Sequence, residues 1–566
     1  MRLLFGKADM RVAISGPATR VGCGAAGAGL AMTSRVAETL LEGGDAMRTS
    51  WLALAGVAVA GLLVAPNTAR SFDVVRYEEA TIADIQGAFN AKTLKCRALV
   101  QMYLERIAAY DKKGPALNAI VVTNPDALRL ADTLDARFVQ SGPVGPLHCV
   151  PLIVKDNYET TDMPTSAGSL SLKGVMSKTD AFQIKKLREA GAIMLAKSNM
   201  AEFAFDPMET VNSLMPGYTR NPYALDRVTA GSSGGTAAAV AANFGAAGLG
   251  TDTGNSIRGP ASHTSLVGIR STMGLTSRDG IVPLFLDKDV GGPMARTVAD
   301  AVAIFDVIAG YDPADPVTAA SQGKRADSYA RFLDKDGARG ARLGVVRQLF
   351  SPENADPDVT ARMEQALADL RRLGAVIVEP IRIAEIDTIP PPMLFCFRFK
   401  FDINDYLPRL APDAQVKSLE DIIKSGKYHP SIEKRLLDRQ AEAPLDQNPR
   451  CAEVARNTQQ LREAVEKVMG DNMLDALVYP TWAFPPRLIG DLNTPHGNNS
   501  PRLSPPTGFP AITVPMGFVR DSLPVGLQVL GRAWGEPTLI KIGFAYEQAT
   551  RHRRPPASAP PLPPRP

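Results

Sequence analysis

Cysteine is scarce in this sequence. Cys23, Cys96, Cys149, Cys396 and Cys451 lie far apart and make no CxxC pair, which removes the common zinc and redox motifs. A disulfide scaffold is not expected either, because a chain of 566 residues can bury a core of its own. Positive charge shows little surplus. The formal net charge is +4 and no basic stripe appears, so a nucleic-acid role has no support. The glycine-rich turn AGSSGGTAAAV at 230–240 is not followed by Gly-Lys-Ser/Thr, which excludes a phosphate loop. There is no internal repeat. The apolar run from Trp51 to Ala65 has 15 residues, short of the ~20 that a spanning helix needs.

That run has the setting of a secretory signal peptide. Arg48 supplies a positive flank after Met47, and Ala69-Arg70-Ser71 offers a small-x-small cleavage site. Residues 47–71 are therefore read as a signal peptide, with an uncleaved N-terminal anchor as the alternative. Residues 1–46 are read as an upstream extension outside the fold. An exported protein, periplasmic or secreted, is expected. At the other end, the proline-rich residues 556–566 are expected to form a disordered tail.

Between these ends the hydrophobic share of 45% is enough for a large core. AIVV (119–122), VPLIVKD (150–156) and AIMLAK (192–197) read as buried strands, and Asp180 to Ala190 reads as a helix leading into the third. LGVVRQ (343–348), a helix over 358–373 and AVIVEP (375–380) repeat the alternation. ITVPMGF (512–518) and VGLQVLG (525–531) look like a late strand pair. The pattern predicts an α/β fold with a mixed central sheet flanked by helices on both faces. Residues 385–460 are richer in charge and helix formers and read as a helical insertion in a domain spanning 72–555.

Three stretches could carry chemistry. Lys155 ends an apolar strand. Most lysines so placed reach water along their stems, but one that cannot has a depressed pKa and can act as a base. The run Gly231-Ser232-Ser233-Gly234-Gly235 feeds an alanine-rich helix, so it is not a free linker. It also satisfies G-x-S-x-G with Ser233 central, and an esterase built on Ser233 would need a later histidine, for which His496 is the better placed candidate. The third stretch, LGTDTGNSIRGPAS (249–262), crowds small residues around Ser256. Small residues there mean either a tight turn or backbone amides left open to a ligand.

PLIVKDN, GSSGG and GTDTGNSIRGPA, in that order and spacing, resemble the amidase signature family. The similarity runs from about Tyr77 to Pro555 and includes GPMARTVADAV, LVYPTWAFPP and TGFPAITVPMGF. The resemblance implies an amidase-signature fold and an amidase with a Ser-Ser-Lys triad: Ser256 as nucleophile, Ser232 as bridge after a cis peptide, and Lys155 as base. It further implies that backbone N–H groups of Thr253, Gly254, Asn255 and Ser256 receive the oxyanion, and that no metal or organic cofactor is needed. Asp252 and Arg258 match the family motif and are read as scaffold around the nucleophile. The expected partner is a small-molecule amide, with no nucleic acid, no stable membrane insertion once the signal is cleaved, and a homodimer left open.

The sequence departs from the family pattern at four places. Asn255 and Cys149 stand where glycine is usual, Ala230 replaces a frequent glycine, and Arg270-Ser271 replaces a frequent Lys-Pro. Asn255 is expected to narrow or polarise the site, and Cys149 is read as a small core residue. Phe203 to Met208, with Met393, Phe395 and Phe399, are expected to form an apolar wall that favours a hydrophobic or aromatic acyl group, against the ordinary-core reading of the same residues. The alternatives are the glutaminase component of a tRNA-dependent amidotransferase, a serine esterase, and a non-catalytic binding protein on the same scaffold.

Overall fold

Long apolar runs make the sheet. A computed structural model describes residues 77–563 apart from 206–211, 214, 411, 413 and 492. The readings for 1–46 and 47–71 lie outside the described residues, as do Asp206, Pro207 and Met208. The strands are β1 (Ile120–Thr123), β2 (Pro151–Lys155), β3 (Ile193–Ser198), the small pair β4 (Asn212–Ser213) and β5 (Gly217–Tyr218), β6 (Ala247–Asp252), β7 (Val267–Arg270), β8 (Val290–Ala295), β9 (Arg342–Val345), β10 (Val376–Val378), β11 (Ala476–Pro480), β12 (Ala511–Val519) and β13 (Leu523–Leu530). Eleven of them form one sheet in the order β1-β3-β2-β6-β8-β7-β12-β13-β11-β9-β10. β2 runs parallel to both β3 and β6, and β9 runs parallel to β10 and β11. The other pairings are antiparallel, so the sheet is mixed. Helices flank it, as expected for an α/β protein.

β8 breaks the strand pattern because its sequence is VGGPMA. Glycine and proline weigh against a strand, yet the space demands them. A Cβ on Gly291 would come 2.4 Å from the Gln183 amide, and one on Gly292 would come 2.5 Å from the Ile269 carbonyl.

The same economy of size brings the helix Gly234–Ala241 onto β2 and β6. All eight of its residues are buried. A Cβ on Gly235 would lie 2.2 Å from Asn199 O, and one on Gly248 would lie 2.6 Å from Thr236 Cγ2. Small side chains let the turn before this helix reach the C-terminal ends of β2 and β6, where Lys155 and Asp252 sit.

Between Val378 and Ala476 the described residues hold helices and no strand. The largest are Phe399–Leu410 and Pro449–Asp471. Among the described residues no helix is long and apolar enough to cross a membrane.

Two expectations fail. Disulfides do form, joining Cys96 to Cys149 and Cys396 to Cys451 across 53 and 55 residues of sequence. Separations of that size hide a pair from sequence inspection, and only the fold brings the partners together. Closing loops of this size removes about 4 kcal/mol of unfolded-state entropy apiece in the chain-entropy account. Cys149 is thus more than a small core residue. Its φ of +56° explains why glycine suits the position, and its bond to Cys96 fixes the chain entering β2.

The proline-rich tail is the second case. At 558–560 it is docked rather than loose. Arg106, wholly buried, donates to the carbonyls of Ala559 (2.8 Å) and Pro560 (3.0 Å), Tyr110 donates to Pro560 O, and Ser558 donates to Pro222 O. Composition says little about backbone carbonyls, and these are what the arginine binds.

Candidate active site

β2 lies inside the sheet and is covered by the helix Gly234–Ala241. Lys155 is fully buried. Its Nζ lies 2.7 Å from Ser232 Oγ and 2.7 Å from Thr251 Oγ1, with the Thr251 carbonyl at 3.4 Å. Asn157 Nδ2 donates to the same Thr251 hydroxyl at 3.1 Å. Burial pulls the Lys155 pKa down to about 7, against the opposing pull of Asp289 and Asp252. An amine in this setting is in part neutral near pH 7. It can then accept a proton from the hydroxyl beside it.

Ser232 follows Gly231 through a cis peptide bond, the form that the resemblance implies. Its carbonyl accepts the Ala201 N–H at 3.1 Å. Ser233 has a different environment. Its hydroxyl sits against the backbone of Thr251, accepting from the N–H and donating to the carbonyl, both at 3.3 Å. His496 lies edge-on to Trp482, and its Nδ1 accepts the Asn498 N–H. The contacts that fix Ser233 are thus backbone contacts, not the imidazole that an esterase elbow requires.

The loop after β6 is held from beneath by a buried ion cluster. Arg258 Nε donates to Asp252 Oδ2 at 3.0 Å and its Nη2 donates to the Gly254 carbonyl at 3.0 Å. Nη1 reaches Ser500 O and Gln528 Oε1, each at 3.0 Å. Arg270 donates to Asp252 O and Oδ1 and to Lys288 O. Burial alone would raise the Asp252 carboxyl, but Arg258 and Arg270 together hold it below its ordinary value. Asp252 and Arg258 thus form a buried ion pair beneath the loop. Arg270, where the resembled pattern has lysine, adds a second cation to the same carboxylate.

Ser256, 4% exposed, ends this loop just before the helix Arg258–His263. Asn255 Nδ2 donates to the Gly231 carbonyl at 2.8 Å, so the residue before Ser256 is tied to the residue before Ser232. The Asn255 side chain also packs on Gly259, where an added Cβ would meet its amide at 2.1 Å. Asn255, expected to narrow or polarise the site, braces the two serine loops together. Thr253 donates its hydroxyl to Asp289 Oδ1. Burial lifts the Asp289 pKa to about 6, partly offset by that hydroxyl and by the N–H groups of Leu284 and Phe285. Among the described residues no protein acceptor takes the N–H of Gly254 or Ser256.

The apolar wall divides in two. Phe203, Phe205 and Phe399 are buried and pack ring on ring, with centroids 4.6 to 6.4 Å apart, which is ordinary core. Phe395 is only half-buried, and its ring edge lies 3.6 Å from where a Gly254 Cβ would be. Thr251 and Asp289 touch the site; Thr251 lies within the GTDTGNSIRGPA motif, where its contact with Lys155 is not legible, and Asp289 has no signal in the sequence.

Comparison with known proteins identifies the family. The family model described as Amidase matches residues 98–540. A probable amidase of Arabidopsis thaliana is 36% identical over 502 residues, covering 85% of this chain and 91% of its own. A glutamyl-tRNA(Gln) amidotransferase component from Acinetobacter baumannii is 35% identical over 489 residues, covering 83% and 96%. Among solved structures, the native peptide amidase from Stenotrophomonas maltophilia superposes with a TM-score of 0.78 at 39% identity, covering 85% of this chain and 99% of that one.

Proposed function

This chain belongs to the amidase family and is an amide-hydrolysing enzyme, and from that premise we propose that it cleaves linear carboxylic amides through Lys155, Ser232 and Ser256 with an acyl-enzyme intermediate. The observation that carries the reading is the 2.7 Å approach of a fully buried Lys155 Nζ to Ser232 Oγ. Neutral Lys155 takes the Ser232 proton while Ser232 takes the proton of Ser256, and Ser256 Oγ attacks the amide carbon. The oxyanion forms against the N–H groups of Thr253, Gly254, Asn255 and Ser256. One such donor is worth roughly 3–4 kcal/mol in comparable enzymes. The proton on Lys155 returns through Ser232 to the nitrogen of the leaving amine as the C–N bond breaks. Water then attacks the acyl-enzyme along the same proton path and releases the acid.

The test is covalent labelling with a fluorophosphonate followed by peptide mapping. The expected label is on Ser256, and it is lost in Lys155→Ala. A label on Ser233 overturns the reading in favour of an esterase. A panel of aryl and alkyl amides then measures turnover.

A second reading, the glutaminase component of a tRNA-dependent amidotransferase, is favoured by the similarity to the Acinetobacter baumannii protein. It requires glutamine as substrate and partner proteins that co-purify. Export, periplasmic or secreted, is part of the first reading. It draws support from the two disulfides, which persist in oxidising compartments, and from the leader-like segment 47–71. Thiol titration of protein taken from its native compartment checks it. Four free thiols at Cys96, Cys149, Cys396 and Cys451 would remove that support.

A further inference from the structure

The segment Pro391–Arg398 has little regular structure of its own beyond one short turn at Pro391–Leu394. It is nevertheless hung firmly from the long helix Pro449–Asp471. Cys396 is bonded to Cys451 on the first turn of that helix. Arg450 donates to the carbonyls of Pro392 and, at 3.4 Å, Phe395, and Asn457 donates to Met393 O at 3.1 Å. Phe397 is gripped between the guanidinium groups of Arg439 and Arg450, 3.6 and 4.1 Å from its ring centre. What these ties hold out is Phe395. Its ring overhangs Gly254, and Gly254 alone of residues 251–260 keeps partial exposure.

We propose that Phe395 is the residue that selects the acyl group, favouring an aryl or bulky apolar acyl chain, and that the Cys396–Cys451 bond is its positioning device. This rests on the reading of Ser256 as the nucleophile. The acyl carbon stays bound to Ser256 through both half-reactions, so the substituent that must fit beside the 253–256 loop is the acyl chain and not the departing amine. An aromatic edge over a glycine offers a planar apolar chain a face to pack on and offers a methyl group almost nothing. The buried Phe203, Phe205 and Phe399 rings belong to the cluster against which Phe395 packs.

The experiment compares the ratio of kcat/KM for phenylacetamide to that for acetamide. Phe395→Ala is expected to lower the ratio about tenfold, chiefly through KM for phenylacetamide. The pair Cys396→Ala with Cys451→Ala is expected to lower it in the same direction, and to add little when Phe395→Ala is already present. The pair Cys96→Ala with Cys149→Ala, remote from Phe395, reports general destabilisation. An unchanged ratio in folded Phe395→Ala overturns the assignment. A disulfide effect that persists in the Phe395→Ala background overturns the positioning role. Wild-type protein that hydrolyses no amide refutes the amidase reading separately. The acyl wall is then read from the ratio of Ser256 modification rates by phenylmethanesulfonyl fluoride and methanesulfonyl fluoride, which Phe395→Ala must also shift.

Discussion

The centre of the sheet and the helical region 384–471 solve opposite problems. Around β2, β6 and β8 the side chains are small, and the few large polar ones, Lys155, Lys197, Arg258 and Arg270, are wholly buried. Each donates to named partners, although Arg270 Nε has none among the described residues. Lys197, for example, donates to the Tyr158 and Pro164 carbonyls and to Thr165 Oγ1. In the helical region Asp402 is buried beside Arg398, but other charges lie outside, in pairs one helical turn apart such as Lys424–Glu420, Lys434–Asp438 and Lys467–Asp471. The lesson concerns dielectric. A buried cation changes its acidity, and so can do chemistry, whereas a solvated pair adds almost nothing to stability.

Substitutions should separate the two regions sharply. Ser256→Ala is expected to lower kcat by roughly 10⁶-fold, as loss of a serine nucleophile does elsewhere, while thermal denaturation stays close to wild type. Lys155→Ala should cost about 10²–10⁴-fold, the range of a general base. In wild type, kcat/KM should fall as pH drops through about 7, because Lys155 then gains its proton and can no longer accept one. A pH profile flat between 5 and 8 would break the contrast at its root. Removing Cys396–Cys451 should weaken folding by up to about 4 kcal/mol, measured by urea titration. Gly235→Ala, which forces a methyl against the Asn199 carbonyl, should destabilise by about 1–3 kcal/mol and reduce activity along with it. Smallest of all, Lys434→Ala removes a partner that is 85% exposed, and should change stability by less than about 0.5 kcal/mol with no change in kcat. A large loss there would mean that the helical region is not the solvated layer described.

Legibility follows the same division. β2, β3, β12 and β13 are visible as apolar runs, since a strand buried on both faces needs no alternation. β8 is not, because its Gly-Gly-Pro is dictated by Gln183 and Ile269, residues distant in sequence. Lys155, Ser232 and Ser256 stand out through local pattern and through the family that the pattern resembles. Thr251 lies inside the same motif, but its place under Lys155 shows only once β2 and β6 are paired, and Asp289 looks like any other aspartate until its loop is placed. Asn255 is visible as an oddity, but its brace to Gly231 needs two loops in register. The disulfides and the docked tail fail for one reason: both are contacts between segments whose spacing carries no signal.

Arg106 sets an order of events in time. This helix residue waits for carbonyls at 559 and 560, more than 450 positions later. A ribosome emits the chain from its N-terminus, so Arg106 cannot make these two bonds until residue 560 has emerged. Removing the tail would leave the buried guanidinium of Arg106 short of these two acceptors.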